Sequence, residues 1–117
     1  NEVGRLIEAL GGKFQSAYGL AHLGDYETTL FSEYSHNRKY GEMMAHGAKF
    51  EKLAEGVMTA KAMKKLGDKY GVDLPITNAV YEACFLSHVF ESGDGAKHCM
   101  DIILKLFERS TKSEFKL

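Results

Sequence analysis

The stretch AKFEKLAEGVMTAKAMKKLGDKYG, residues 48–71, sets Val57, Ala60, Met63, Leu66 and Tyr70 three or four positions apart. That spacing gathers side chains on one face of an α-helix, and Gly71 is a residue that can close one. On the other side Lys61, Lys64, Lys65 and Lys69 form a basic stripe, read as a solvated face. The same period recurs outward in both directions. Towards the start, Val3, Leu6, Ile7 and Leu10 mark a helix under way from almost the first residue, stopped at Gly11 and Gly12. A further helix is expected from Lys13 to Ala21. Towards the end, Pro75 suits a first helical position, and its helix runs through Ile76, Val80, Tyr81, Cys84 and Phe85. A turn at SGDG leads to a last helix, Ala96 to Arg109, expected to bury Met100, Ile103, Leu104 and Phe107, with a loose tail beyond. Strict alternation is scarce, so the chain reads as all-α.

One segment breaks the period. LGDYETTLFSEY, Leu23 to Tyr34, is rich in threonine and aromatics without helical spacing, and is expected to be an irregular loop or a short extended piece.

The 117 residues are 44% hydrophobic with a formal net charge of −1, which describes a single domain with an ordinary core. Near-neutral charge removes the long-range attraction that drives nucleic-acid binding, and no apolar run approaches the roughly 20 residues of a membrane span. Cys84 and Cys99 sit in apolar helical patterns, which reads as reduced, buried thiols and a cytoplasmic location. The chain opens at Asn1, without methionine and already in a helical pattern, so a further N-terminal part is expected to precede it.

Chemistry concentrates in SHNRKYG, Ser35 to Gly41. Ser35 is a plausible N-cap for a helix running to about Ala45, and the unpaired amides of a helix start favour an oxyanion, with Ser35, His36 and Asn37 as added donors. A capped surface helix accounts for the same residues. Asp25, after Gly24, is placed to hold a substrate hydroxyl or a lysine, or else closes a turn. Glu55 and Gly56 open the long helix; glutamate complements the dipole there, and glycine in a first turn permits close approach by another group. Cys84, His88, His98 and Cys99 are a candidate zinc set, although no cysteine pair has the usual short ligand spacing. Nucleophile motifs and glycine-rich phosphate loops are absent.

Taken in order, LGD (23–25), SHNR-YG (35–41), AEGV-TAK (54–61) and GVDLPITNAVY (71–81) closely resemble the C-terminal domain of NAD(P)-dependent glycerol-3-phosphate dehydrogenases, with their GLGDL, S-R-N, VVEG and GVxMPIT segments. The resemblance runs from the first helix to near Arg109. It implies a helical domain of the 6-phosphogluconate dehydrogenase C-terminal-like type over residues 1–117, cut from an N-terminal Rossmann domain that carries NAD(H) or NADP(H). It also implies interconversion of dihydroxyacetone phosphate and sn-glycerol 3-phosphate, supplying phospholipid biosynthesis, and a homodimeric cytoplasmic enzyme. The general acid/base lysine would precede the first segment present, so the fragment alone should be inactive. By the same resemblance Asp25 would hold that lysine and the substrate hydroxyls in register. Ser35, His36 and Asn37 would grip the phosphate, and Leu53 and Glu55 would approach the nicotinamide end of the cofactor. His36 stands where the family has arginine, exchanging a permanently charged fork for a partly protonated ring. The physical premise is a helix mouth at Ser35 facing Asp25 across an open cleft. A non-catalytic helical dimerisation or interaction module is the alternative.

Overall fold

The computed structural model describes residues 1–85 and 95–108. Among these there is no strand. Helix α1 spans Glu2–Ala9, α2 Asp25–Leu30, α3 His36–Ala45, α4 Glu55–Tyr70, α5 Pro75–Phe85 and α6 Gly95–Phe107. A 3-10 turn, Phe14–Tyr18, and a π-helical turn, Leu20–Gly24, lie between α1 and α2. No helix among the described residues is long and apolar enough to cross a membrane.

The punctuation follows the sequence closely in most places. Helix α1 stops where Gly11 takes φ +86°, and the Gly12 N–H turns back to the Ile7 carbonyl at 2.8 Å. Helix α4 ends on Gly71 in the left-handed region, and the Val72 N–H reaches the Gly67 carbonyl at 2.9 Å, a Schellman closure. Pro75 opens α5 as expected.

Two local expectations are corrected. In place of a helix from Lys13 to Ala21 there are two short turns of different pitch, because Gly19 is extended (φ −87°, ψ 179°) and interrupts the ladder. The segment from Leu23 to Tyr34, expected to be an irregular loop or a short extended piece, contains α2. Its hydroxyls close it: Thr28 and Thr29 donate to the Asp25 carbonyl at 2.7 and 3.4 Å. None of its residues is buried, so no hydrophobic period was imposed on the sequence.

Among the described residues, half of the buried apolar side chains are alanines. Ala17, Ala54, Ala60 and Ala83 are buried, with Leu6, Leu74, Cys99 and Ile102. Helices α4 and α5 approach closely at Gly67, where an added Cβ would lie 2.6 Å from the Leu74 Cδ1. Leu74, 1% exposed, fills the room that glycine leaves, a burial worth about 2 kcal/mol. Helix α1 locks onto α5 through its first turn. The Glu2 carboxylate accepts from the Ile76 N–H at 2.5 Å, the Thr77 N–H at 2.9 Å and the Thr77 hydroxyl at 2.7 Å. A helix that starts with proline therefore receives its cap from another helix.

Helix α6 corrects a third expectation. Its buried residues are Cys99 and Ile102, packed with Ala83, Ala79 and Met44. The expected core stripe faces outward: Met100 is 51% exposed, Ile103 40%, Leu104 53% and Phe107 82%. The helix is apolar on two adjacent faces, and periodicity cannot choose between them.

Candidate functional site

The segment singled out in the sequence begins with a genuine cap. Ser35, extended at φ −64° and ψ 111°, accepts the Arg38 N–H on its hydroxyl at 3.3 Å and starts α3 at His36. The next two residues turn towards α4. The His36 Nδ1 lies 3.0 Å from the Leu53 carbonyl oxygen, and the Asn37 Oδ1 accepts the Gly56 N–H at 2.9 Å. Ala54, at the N-cap of α4, has no side-chain acceptor to offer. Asn37 provides it from α3, satisfying one of the amides that every helix start leaves free. An added Cβ on Gly56 would meet the Asn37 Cγ and Oδ1 at 3.0 Å, so the close approach expected of that glycine is made by the Asn37 amide.

Five sequence-selected residues are thus brought to one place: Ser35, His36 and Asn37 on one side, Leu53 and Glu55 on the other. Leu53 is 68% exposed and Glu55 stands in the first turn of α4. Asp25 is not joined to them. It heads α2 directly after the π turn, whose Gly24 N–H reaches back to the Gly19 carbonyl at 3.3 Å, and its exposed carboxylate makes no hydrogen bond or ion pair among the described residues. The open depression beside α3, about 310 Å³, is lined by His36 and by residues of the 49–52 loop, without Asp25. The Arg38 guanidinium, two residues along from His36, is engaged at 3.3 Å by Glu42 one turn along.

Sequence reasoning missed the residues that hold this place in shape. Phe50 meets the His36 ring edge-on at 5.8 Å and the Tyr40 ring at 6.0 Å. Phe50 lies between two helices, where no period marks an inward residue. Deeper in, Tyr40 is pushed up to about 12, first by burial and then by the Cys84 thiol beside it. Burial raises Cys84 as well, partly offset by its hydrogen bond with Tyr40. Cys99 is buried against the Ala83 carbonyl at 4.0 Å. Both thiols are free. No group of three or more His, Cys, Asp or Glu that could hold a metal occurs among the described residues, and His88 lies outside them.

The fold and the site define an all-α domain whose polar centre is built from the N-terminal turns of α3 and α4. Comparison with known proteins gives the family. The chain belongs to the NAD-dependent glycerol-3-phosphate dehydrogenase C-terminus family, which it matches over residues 1–92. Relatives named glycerol-3-phosphate dehydrogenase, NAD(P)+, include one from Chlorobium chlorochromatii, 38% identical over 97% of this chain and 33% of the relative. Those from a Janthinobacterium species and from Corynebacterium glutamicum are 36% and 35% identical, each over 97% of this chain and 34% of the relative. The chain spans about a third of the length of the curated relatives it matches. No solved structure matches it significantly.

Proposed function

We propose that this chain is the substrate-binding domain of an NAD(P)-dependent glycerol-3-phosphate dehydrogenase, completed by an N-terminal Rossmann domain. The observation that carries the reading is the pair of bonds from His36 to Leu53 and from Asn37 to Gly56. They tie the proposed phosphate grip to the proposed cofactor edge, so a three-carbon phosphate held at Ser35 to Asn37 is positioned relative to a nicotinamide beside Leu53 and Glu55. Leu53 fits that role, since its exposed side chain offers an apolar surface while its carbonyl is fixed. The dinucleotide supplies the hydride for the substrate carbonyl carbon. The Asp25 carboxylate, exposed and without a hydrogen bond or ion pair among the described residues, is free to orient a lysine from the N-terminal part, which gives the carbonyl oxygen its proton. The test is NADH oxidation with dihydroxyacetone phosphate in the chain rejoined to such a domain. Turnover is expected to fall strongly for Asp25→Asn with KM little changed, and to lose KM first for Asn37→Ala; no turnover in the joined protein despite dinucleotide binding refutes the reading.

The same reading includes a homodimer in the cytoplasm. A second copy is the partner proposed for the outward stripe Met100, Ile103, Leu104 and Phe107, because α6 packs inward on α5 and α3 while α1, the chain's N-terminal helix, packs on the 3-10 turn and α4. Sedimentation of Leu104→Glu against the unaltered chain checks it: a dimer that dissociates supports this face, and an unchanged dimer removes it.

A further inference from the structure

Between α3 and α4 the chain runs without helix or strand over residues 46–54. The first of these stay on α3, since the Gly47 and Ala48 N–H groups donate to the Met44 and Met43 carbonyls at 3.1 and 2.8 Å. The last, Ala54, is buried at the start of α4. The five residues between, 49–53, have a single hydrogen bond among the described residues, the one from the His36 ring to the Leu53 carbonyl at 3.0 Å. A backbone with so few partners depends on side-chain packing for its order.

Lys49, Glu51, Lys52 and Leu53 are exposed, and Phe50 alone of the five is half-buried. Its ring meets two rings one turn apart on α3, His36 edge-on at 5.8 Å and Tyr40 at 6.0 Å with the planes at 88°. Edge-to-face pairs at such separations attract beyond the area they bury. Tyr40 is the firm end of the contact, half-buried with its hydroxyl beside the Cys84 thiol of α5. His36 is the other end, and the same imidazole that Phe50 touches holds the Leu53 carbonyl. Phe50 is therefore linked to Leu53 twice, along three residues of chain and through the His36 ring.

We infer that Phe50 is a positioning residue for the dinucleotide: by fastening residues 49–53 across His36 and Tyr40 it holds Leu53 where the nicotinamide end lies against it. The inference rests on the reading that Leu53 meets the nicotinamide, and it adds a residue that acts on the cofactor only through Leu53. A segment ordered in advance binds without a further loss of freedom, whereas one fastened for part of the time loses affinity in proportion. The effect is confined to the nicotinamide half, because the ADP-ribose half lies on the proposed N-terminal domain.

The test uses the chain joined to that domain, unaltered and as Phe50→Ala, Phe50→Leu and Phe50→Tyr. In Phe50→Ala the affinity for NADH, titrated by fluorescence, is expected to fall about fivefold, the lower end of what two ring contacts contribute. Affinity for ADP-ribose, which lacks the nicotinamide, should stay within about twofold by calorimetry. Without dinucleotide, trypsin should cut after Lys49 and Lys52 about fivefold faster, with cleavage at Lys61, Lys64 and Lys65 of α4 unchanged. Phe50→Leu keeps most of the apolar volume without the ring and should show both changes at about twofold to threefold, which decides the matter where the alanine variant does not fold; Phe50→Tyr keeps the ring and should show neither. Equal losses of NADH and ADP-ribose affinity, or cleavage that rises as much in α4, make Phe50 a support of the fold alone and overturn the inference. Unchanged NADH affinity, or unchanged cleavage after Lys49 and Lys52, in the alanine and leucine variants overturns it as well, while turnover of the unaltered joined protein leaves the dehydrogenase reading in place. Absence of that turnover despite dinucleotide binding refutes the reading and removes the inference with it.

Discussion

Replacing Gly56 by alanine sets two effects of similar size against each other, and the geometry gives the sign. Alanine in place of glycine favours a helix by up to about 1 kcal/mol in an interior and by about half of that in a first turn. The new Cβ, however, would stand 3.0 Å from the Asn37 Cγ and Oδ1 and 3.2 Å from its Nδ2. The amide must move by a few tenths of an ångström, and it is the same amide whose Oδ1 accepts the Gly56 N–H at 2.9 Å. Disturbing that bond costs about 1 kcal/mol. Gly56→Ala is therefore expected to destabilise the chain by about 0.5 kcal/mol, a result opposite to helix propensity alone. In an Asn37→Ala background the obstacle is gone, and Gly56→Ala should stabilise by about 0.5 kcal/mol, leaving a coupling of about 1 kcal/mol. Urea unfolding of the four proteins measures this directly. Additive single effects, within about 0.3 kcal/mol, would refute the claim that Asn37 caps α4 across the helix boundary.

Glu2→Gln keeps an acceptor at the start of α5 but removes the charge that faces its dipole and its three donors, so a loss of about 1 kcal/mol, near 4 °C in Tm, is expected by calorimetry; no change would mean that the contact is idle. Gly67→Ala should cost about 1–2 kcal/mol in chemical denaturation, because its Cβ meets the Leu74 Cδ1 at 2.6 Å and the Val72 carbonyl oxygen at 3.2 Å, neither with room to retreat. Tyr40 is held above its ordinary value of 10.0, at about 12, so the folded chain keeps this proton longer than the unfolded one. The resulting stability is fully present below pH 10.0 and is lost as pH rises towards about 12; alkaline unfolding of Tyr40→Phe should be flatter over that interval. Cys84, raised by burial, should react with a neutral alkylating reagent more slowly than a free thiol at neutral pH, and equal rates would contradict its placement.

The helical class was legible because glycine and proline act through the backbone alone. Gly11, Gly71 and Pro75 end or begin helices where the sequence places them, since positive φ and fixed φ do not depend on what packs nearby. The Ser35 cap was legible for the same local reason. Helix α2 was not, because its order comes from threonine hydroxyls on the Asp25 carbonyl and a hydrophobic period arises only where a face is buried. Nor could sequence show that Asn37 and Glu2 cap other helices, one 19 and the other 74 or 75 residues away, because contact between such positions is a product of packing. Of the site, the residue types were legible in Ser35, His36 and Asn37, while their direction, towards Leu53 and Gly56, was set by the α3–α4 contact.

The distribution of size between core and surface bears on the proposed partners. A helix pair that meets over alanine and glycine approaches closely but removes little apolar area from water, since the gain scales with area at about 25 cal/mol per Å². Among the described residues Ala17, Ala54, Ala60, Ala83 and Gly67 share the interior with Leu6, Leu74 and Ile102, whereas Leu20 is 90% exposed, Phe31 85%, Tyr34 79% and Phe107 82%. These large side chains are not scattered. Leu20, Phe31 and Tyr34 flank α2, the helix with no buried residue, and Phe107 ends the outward stripe of α6. Two partners are proposed for them, a Rossmann domain on the Asp25 side and a second copy on α6. If one partner covered both, Phe31→Ser and Phe107→Ser would weaken the same association. Two independent partners require Phe31→Ser to leave the dimer intact and Phe107→Ser to leave dinucleotide-linked turnover intact in the joined protein, which sedimentation and the NADH assay read separately.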